Sequence, residues 1–159
     1  MYDFKIDSAD KQALYRDLAS ALEALIGDEP DPIANMANAA ALIRDSLPDL
    51  NWAGFYRNHG GELVLGPFQG KPACIRIPFG SGVCGTAAQT RRAQRVDDVE
   101  SFPGHIPCDS QSRSELVVPI VRGGELVAVL DLDSPLAARF TKEDEDGCVA
   151  LAEILARAI

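Results

Sequence analysis

The chain lacks the features that would tie it to a membrane or to nucleic acid. No apolar run in its 159 residues approaches the ~20 needed to span a bilayer. The first residues, MYDFKIDSADKQ, are charged from the third position and contain no apolar signal core. Basic residues are also short. Lys and Arg number 15 against 24 Asp and Glu, a formal net charge of -9. Such a surface repels polyanions rather than gathering them. No internal repeat, low-complexity tract or linker breaks the chain, and the four cysteines carry no short C-x₂₋₄-C clip of the kind a structural zinc requires. These absences predict a cytosolic protein of one domain spanning residues 1–159, without a membrane or nucleic-acid partner and without a resident metal. Its cysteines should be thiols unless chemistry oxidises them.

Periodicity supplies the architecture. Leu14, Leu18, Leu22, Leu25 and Ile26 recur at helical spacing from Asp10 until Gly27, and Ile33, Met36, Ala37, Ala40 and Ile43 repeat it from Pro32 to Leu47. From Asn51, NWAGFYR and ELVLGPF flank an HGG turn and read as a β-hairpin, and CIRIPF alternates as a further strand. GSGVCGTAAQTRR has glycines at the entry to a helix-compatible run, and QRVDDVE reads as a short extended piece. Residues 101–113, SFPGHIPCDSQSR, are rich in turn formers and form a loop carrying a cysteine. SELVVPIV and ELVAVLDLD, joined by Arg122-Gly123-Gly124, make the clearest hairpin. A final helix begins at Thr141, where T-K-E-D fits a capping box with Asp in the acidic place, and runs to the C-terminus with Cys148, Leu151, Leu155 and Ala158 on its apolar stripe. The order predicts an α+β domain with a largely antiparallel sheet.

Three signals bear on chemistry. Cys74, Cys84 and Cys108 fall within 35 residues of one another; they are either redox-active thiols or small buried hydrophobes. Asp131 and Asp133 extend one face of a strand, because side chains two apart point the same way, and hairpin pairing brings Glu115 toward them. Enclosed together, the three acids would repel one another, so that at least one holds its proton near neutrality, and the same cluster would take a substrate ammonium. Taken singly, they end their strands in solvent. Trp52, Gly54 and Tyr56 share a strand face, and the bare position at Gly54 predicts a slot between two aromatic walls suited to a methyl or thioether group. Ordinary core packing is the alternative for both rings.

In order along the chain, NWAGFY, QGKPACIRIPFGSGVCGTA, HIPCDSQSRSELVVPI and LDLDSP resemble the free methionine-(R)-sulfoxide reductases, a family built on the GAF domain. The resemblance covers nearly the whole chain. It implies a GAF fold and reduction of free methionine-(R)-sulfoxide by Cys108 as the attacking thiol, through a sulfenic acid. Cys74, or Cys84 in relay, would close a disulfide, with Cys74 the resolver by resemblance. Trp52, Tyr56, Glu115, Asp131 and Asp133 fall on positions like the family's ligand pocket, with an acid among Glu115, Asp131 and Asp133 serving the departing oxygen. A thioredoxin-like dithiol is the implied reductant, no cofactor is needed, and a homodimer through the opening and closing helices follows by family analogy alone. His105 and Arg113 stand near Cys108 in sequence, where either would offset the acids. A non-catalytic GAF sensor of a small ligand and a thiol redox sensor are the competing readings. The first is generally joined to output domains, and the second leaves the acids and aromatic face unexplained. Reduction of protein-bound methionine sulfoxide is a third, disfavoured by an acid cluster that reads a free ammonium.

Overall fold

The structure is a computed structural model that describes residues 2–4, 6, 10–105 and 109–159. Its elements begin and end where local chemistry sets them. The Asp10 side chain accepts a hydrogen bond from the Ala13 N–H and starts α1 (Lys11–Ile26), and Asp31 does the same for Ala34 at the head of α2 (Pro32–Ser46), where Pro32 needs no donor partner. Thr141 and Asp144 form a reciprocal capping box at the start of α4 (Lys142–Leu155), as the T-K-E-D pattern predicts.

Asp144 also ties two helices together. Its fully buried carboxylate accepts from Tyr15 OH at 2.7 Å and Lys11 Nζ at 2.5 Å, both on α1, and from Arg139 at 3.2 Å.

Among the described residues, six antiparallel strands form one sheet in the order β3-β2-β1-β6-β5-β4. They are β1 (Trp52–His59), β2 (Glu62–Gln69), β3 (Arg76–Pro78), β4 (Gln94–Val96), β5 (Ser114–Arg122) and β6 (Glu125–Ser134). The two predicted hairpins are present, β1 with β2 and β5 with β6. The CIRIPF strand is shorter than predicted: only Arg76–Pro78 pair with β2, so Cys74 and Ile75 precede the strand. The final helix likewise stops at Leu155, which leaves Ala158 outside it. QRVDDVE supplies β4 and then turns into a short 3₁₀ segment, Val99–Ser101.

The period-2 alternation of the strands divides the molecule into layers. Phe55, Leu116, Val118, Ile120, Leu130 and Leu132 point to one face, where they are buried with Leu18 and Leu22 of α1, Ile43 of α2 and Leu151 of α4. Each such buried side chain contributes ~1.5–3 kcal/mol of burial free energy. Cys148 belongs to this core and is fully buried, in accord with its place on the helix stripe. Trp52, Tyr56, Val117 and Val129 point to the other face, which is covered by Val83, Cys84 and Ala87 of α3 (Gly82–Thr90). β3 and β4 lie at opposite edges of the sheet, so the chain between them crosses this second face and α3 lies on it. The smaller core therefore has an incomplete cover, and the polar strand positions 115, 131 and 133 fall at its end.

Candidate active site

The register of the second hairpin assembles the acids. Glu115 faces Asp133 across the strand pair, and Val117 faces Asp131, one step of the alternation further along the same face. Glu115 and Asp131 are buried, at 7% and 5% exposure, while Asp133 is half-buried. All three line a cavity of about 540 Å³, counted to the solvent at its mouth. Its walls come from every layer on this face: Trp52 and Tyr56 from β1, Lys71, Pro72 and Ala73 from the β2–β3 segment, Ser81 to Cys84 at the start of α3, and His105, Asp109 and Ser112 from the loop before β5.

Burial and mutual repulsion set the protonation of the acids. Glu115 is pushed well above the usual carboxylate range by loss of solvent and then by Asp131 and Asp133. Asp133 is raised for the same reasons, by desolvation first and by the charges of Asp131 and Asp109 next. Asp131 rises to about 6 by burial, held from going higher by hydrogen bonds with Cys84 and Glu115. All three carboxyls therefore hold their protons more tightly than free acids do, Asp131 up to about 6. Cys84 Sγ lies 3.8 Å from Glu115 Oε1, and burial followed by the Asp131 and Glu115 charges drives its thiol far upward. Asp131 Oδ1 has no hydrogen-bond partner. Among the described residues, Cys84, Glu115 and Asp131 are the set whose ligand atoms, one sulfur and two oxygens, lie within 4.8 Å of one another.

The aromatic pair does line the cavity, but the slot expected at Gly54 is filled. A Cβ at Gly54 would lie 2.3 Å from Phe68 Cβ and 2.8 Å from the far edge of the Trp52 ring. The missing side chain admits β2 and the indole rather than a ligand. The rings lean together, with Trp52 5.9 Å from Tyr56 and 5.1 Å from Phe68 between centroids. Their polar tips do further work. Trp52 Nε1 donates to the Lys71 carbonyl at 3.1 Å and Tyr56 OH donates to the Cys74 carbonyl at 3.0 Å, pinning the segment that carries Cys74 over the cavity.

Of the predicted thiols, Cys74 is disulfide-bonded, whereas Cys84 is a buried free thiol. Cys108 lies outside the described residues. His105 lines the cavity, and burial lowers its pKa, so it supplies no cation at neutral pH. The side chain of Arg113 is exposed and does not line the cavity; its backbone carbonyl accepts from Val99 N–H and its N–H donates to the Ser134 carbonyl. The offset expected of these two residues acts on Cys108, which lies outside the described residues.

Sequence reasoning also passed over three polar residues. Asn51 donates to Asp109 Oδ2 at 3.1 Å and to Ser112 Oγ at 3.0 Å, and its backbone N–H bonds the Asp133 carbonyl at 3.0 Å. This clamp ties the return of the cysteine loop to β1 beside the acids. All three residues sat inside or beside quoted motifs, but nothing in their spacing announces a contact between β1 and a loop almost sixty residues later. Lys71 is a cation at the cavity wall.

A half-open cavity on one face of an antiparallel sheet, under a helix and a long loop, defines a small-molecule-binding domain. The GAF domain family matches residues 31–159. The chain is 50% identical over 137 residues to the free methionine-R-sulfoxide reductase of Escherichia coli K12, covering 86% of this chain and 83% of that protein. It is 40% identical to the free methionine-R-sulfoxide reductase of Saccharomyces cerevisiae, covering 91% and 85% of the two chains. Among solved structures, the free methionine-R-sulfoxide reductase of Neisseria meningitidis, in complex with its substrate, superposes with a TM-score of 0.95 at 43% identity, over 99% of this chain and 95% of that one. The protein belongs to the free methionine-R-sulfoxide reductase family of GAF domains.

Proposed function

We propose that this chain reduces free methionine-(R)-sulfoxide to methionine, as a cytosolic thiol-dependent oxidoreductase. The observation that carries the reading is the enclosed trio Glu115, Asp131 and Asp133 in the same cavity wall as the segment that holds an oxidised Cys74. Asp131, next to two carboxyls whose protons burial and repulsion hold more tightly, offers one group for a substrate ammonium and another as a proton donor, the two demands of a zwitterionic sulfoxide. A peptide-bound residue has no free ammonium to bring there, which favours the free amino acid over a protein substrate. Trp52 and Tyr56 give the thioether end an aromatic wall, and Lys71 gives the substrate carboxylate a countercharge.

In this account the Cys108 thiolate attacks the sulfoxide sulfur while a carboxyl, Glu115 or Asp133, gives its proton to the departing oxygen. The S–O bond breaks with loss of hydroxide, which attacks the Cys108 sulfur; the new S–S bond breaks, methionine leaves with its electron pair, and Cys108 is left as a sulfenic acid. The Cys74 thiolate then attacks the Cys108 sulfur, water departs, and a disulfide forms. A thioredoxin-like dithiol supplies the two electrons that restore both thiols. Two features favour Cys74 over Cys84 as resolver: Cys74 is already disulfide-bonded, and Cys84 is a deeply buried thiol whose acid neighbours hold its proton in place. A sensory module leaves the oxidised cysteine without a purpose.

The test is incubation of the protein with dithiothreitol and racemic free methionine sulfoxide, followed by chiral separation. Loss of the R epimer alone, abolished in Cys108→Ser, is the expected result. Turnover of neither epimer, or undiminished turnover in Cys108→Ser, would sink the reading.

A further inference from the structure

The deepest part of the cavity holds a thiol that the proposed chemistry leaves idle. Cys84 is 5% exposed, and it sits with one oxygen each of Glu115 and Asp131 in a group of three potential ligand atoms no more than 4.8 Å apart. A second observation is independent of that clustering. Oδ1 of Asp131, on a side chain 95% buried by its 5% exposure, lines the cavity with no hydrogen-bond partner. An orphaned buried acceptor costs ~1–3 kcal/mol, more if charged, and a cation removes that cost.

We propose that Cys84, Glu115 and Asp131 form a binding site for a thiophilic divalent cation of the zinc class. The donor set selects the ion. Calcium and magnesium require six or more oxygens and have no use for sulfur, whereas zinc and its congeners accept one thiolate with two carboxylates and keep a fourth position for water. The geometry is close to what such an ion needs. Bonds of ~2.3 Å to sulfur and ~2.0–2.2 Å to oxygen put tetrahedral donors about 3.4–3.6 Å apart. The Cys84 and Glu115 ligand atoms are already 3.8 Å apart, so small side-chain rotations complete the shell.

Binding is coordination without redox change: the protons held by Cys84 and by the carboxyls pass to solvent as the metal bonds form. The hairpin pattern in the sequence brings Glu115 toward Asp131, but nothing in it places Cys84 beside them, because that residue comes from α3. If the function proposed above holds, an ion seated here takes the carboxylates away from the substrate, so the site would inhibit. The binding itself does not depend on that reading.

Cadmium is the probe, because its thiolate complexes have an ultraviolet charge-transfer band. The protein is used with Cys74 oxidised, as in the structure, so that this thiol is not a ligand. Titration is expected to raise a band that saturates at about one ion per chain, to persist in Cys148→Ser and to vanish in Cys84→Ser. Asp131→Asn, which keeps the thiol, is expected to weaken the affinity at least ~10-fold, the loss of one charged ligand. No band in the folded protein, a band surviving Cys84→Ser, or an unchanged affinity in Asp131→Asn would overturn the proposal, and none of these results bears on whether the protein reduces methionine sulfoxide.

Discussion

Asp131 is the residue on which binding and stability pull in opposite directions. Its pKa is raised from 3.8 to about 6, chiefly by burial. A carboxyl raised on folding favours the folded state below its unfolded pKa and loses that contribution as pH climbs through the folded value. The window for Asp131 therefore runs from about pH 4 to about pH 6, and a shift of this size corresponds to ~1–3 kcal/mol at most. Thermal melts at about pH 8 should show Asp131→Asn to be more stable than the parent, with the gain absent below about pH 4. Steady-state kinetics of the same variant should show KM for free methionine-(R)-sulfoxide raised roughly 10–100-fold, from the loss of a charge-assisted contact of ~1.5–3 kcal/mol. A KM like that of the parent would remove Asp131 from the substrate. The choice of these acids was legible in the sequence, because LDLD extends an apolar strand face. Their degree of enclosure was not, since it depends on α3 and on the loop before β5 covering them.

At the scale of elements, the face carrying the site is held by the fit of β1 against β2. Gly54 is where that fit is tightest, with Phe68 and the Trp52 ring occupying the place of a side chain. Gly54→Ala must push β2 or the indole aside, and overpacking of this kind costs ~1–3 kcal/mol. The expected result is a lower midpoint in urea with an unchanged slope, together with a raised KM, because Trp52 and the Cys74 segment it anchors move together. A midpoint equal to that of the parent would show that the contact is not tight. The alternation of NWAGFY placed Trp52, Gly54 and Tyr56 on one face. It could not show that Phe68 fills the gap, because that residue arrives from the neighbouring strand. The same limit explains the short β3: CIRIPF alternates over six residues, but only the three opposite Glu62 to Val64 find a partner.

Over the whole molecule, the strand alternation did most of the work. One set of side chains builds a conventional core with three helices, and the other set builds a thinner layer whose open end is the cavity. That division, the two hairpins and the capped helices were readable from residue order because each depends on neighbours in the chain. The crossing of α3 over the sheet, and the Asn51, Asp109 and Ser112 clamp, depend on contacts between distant segments and emerged only in three dimensions. The central claim joins the two: an acid-lined cavity on the thinner layer presents a sulfoxide to Cys108 and hands the oxidation on to Cys74. Single-turnover reaction of the fully reduced protein with free methionine-(R)-sulfoxide, without any reductant, tests it most directly. The account predicts about one methionine per chain and a Cys74–Cys108 disulfide by peptide mapping, in Cys84→Ser as well as in the parent. No methionine, or a disulfide formed through Cys84 instead, would contradict it.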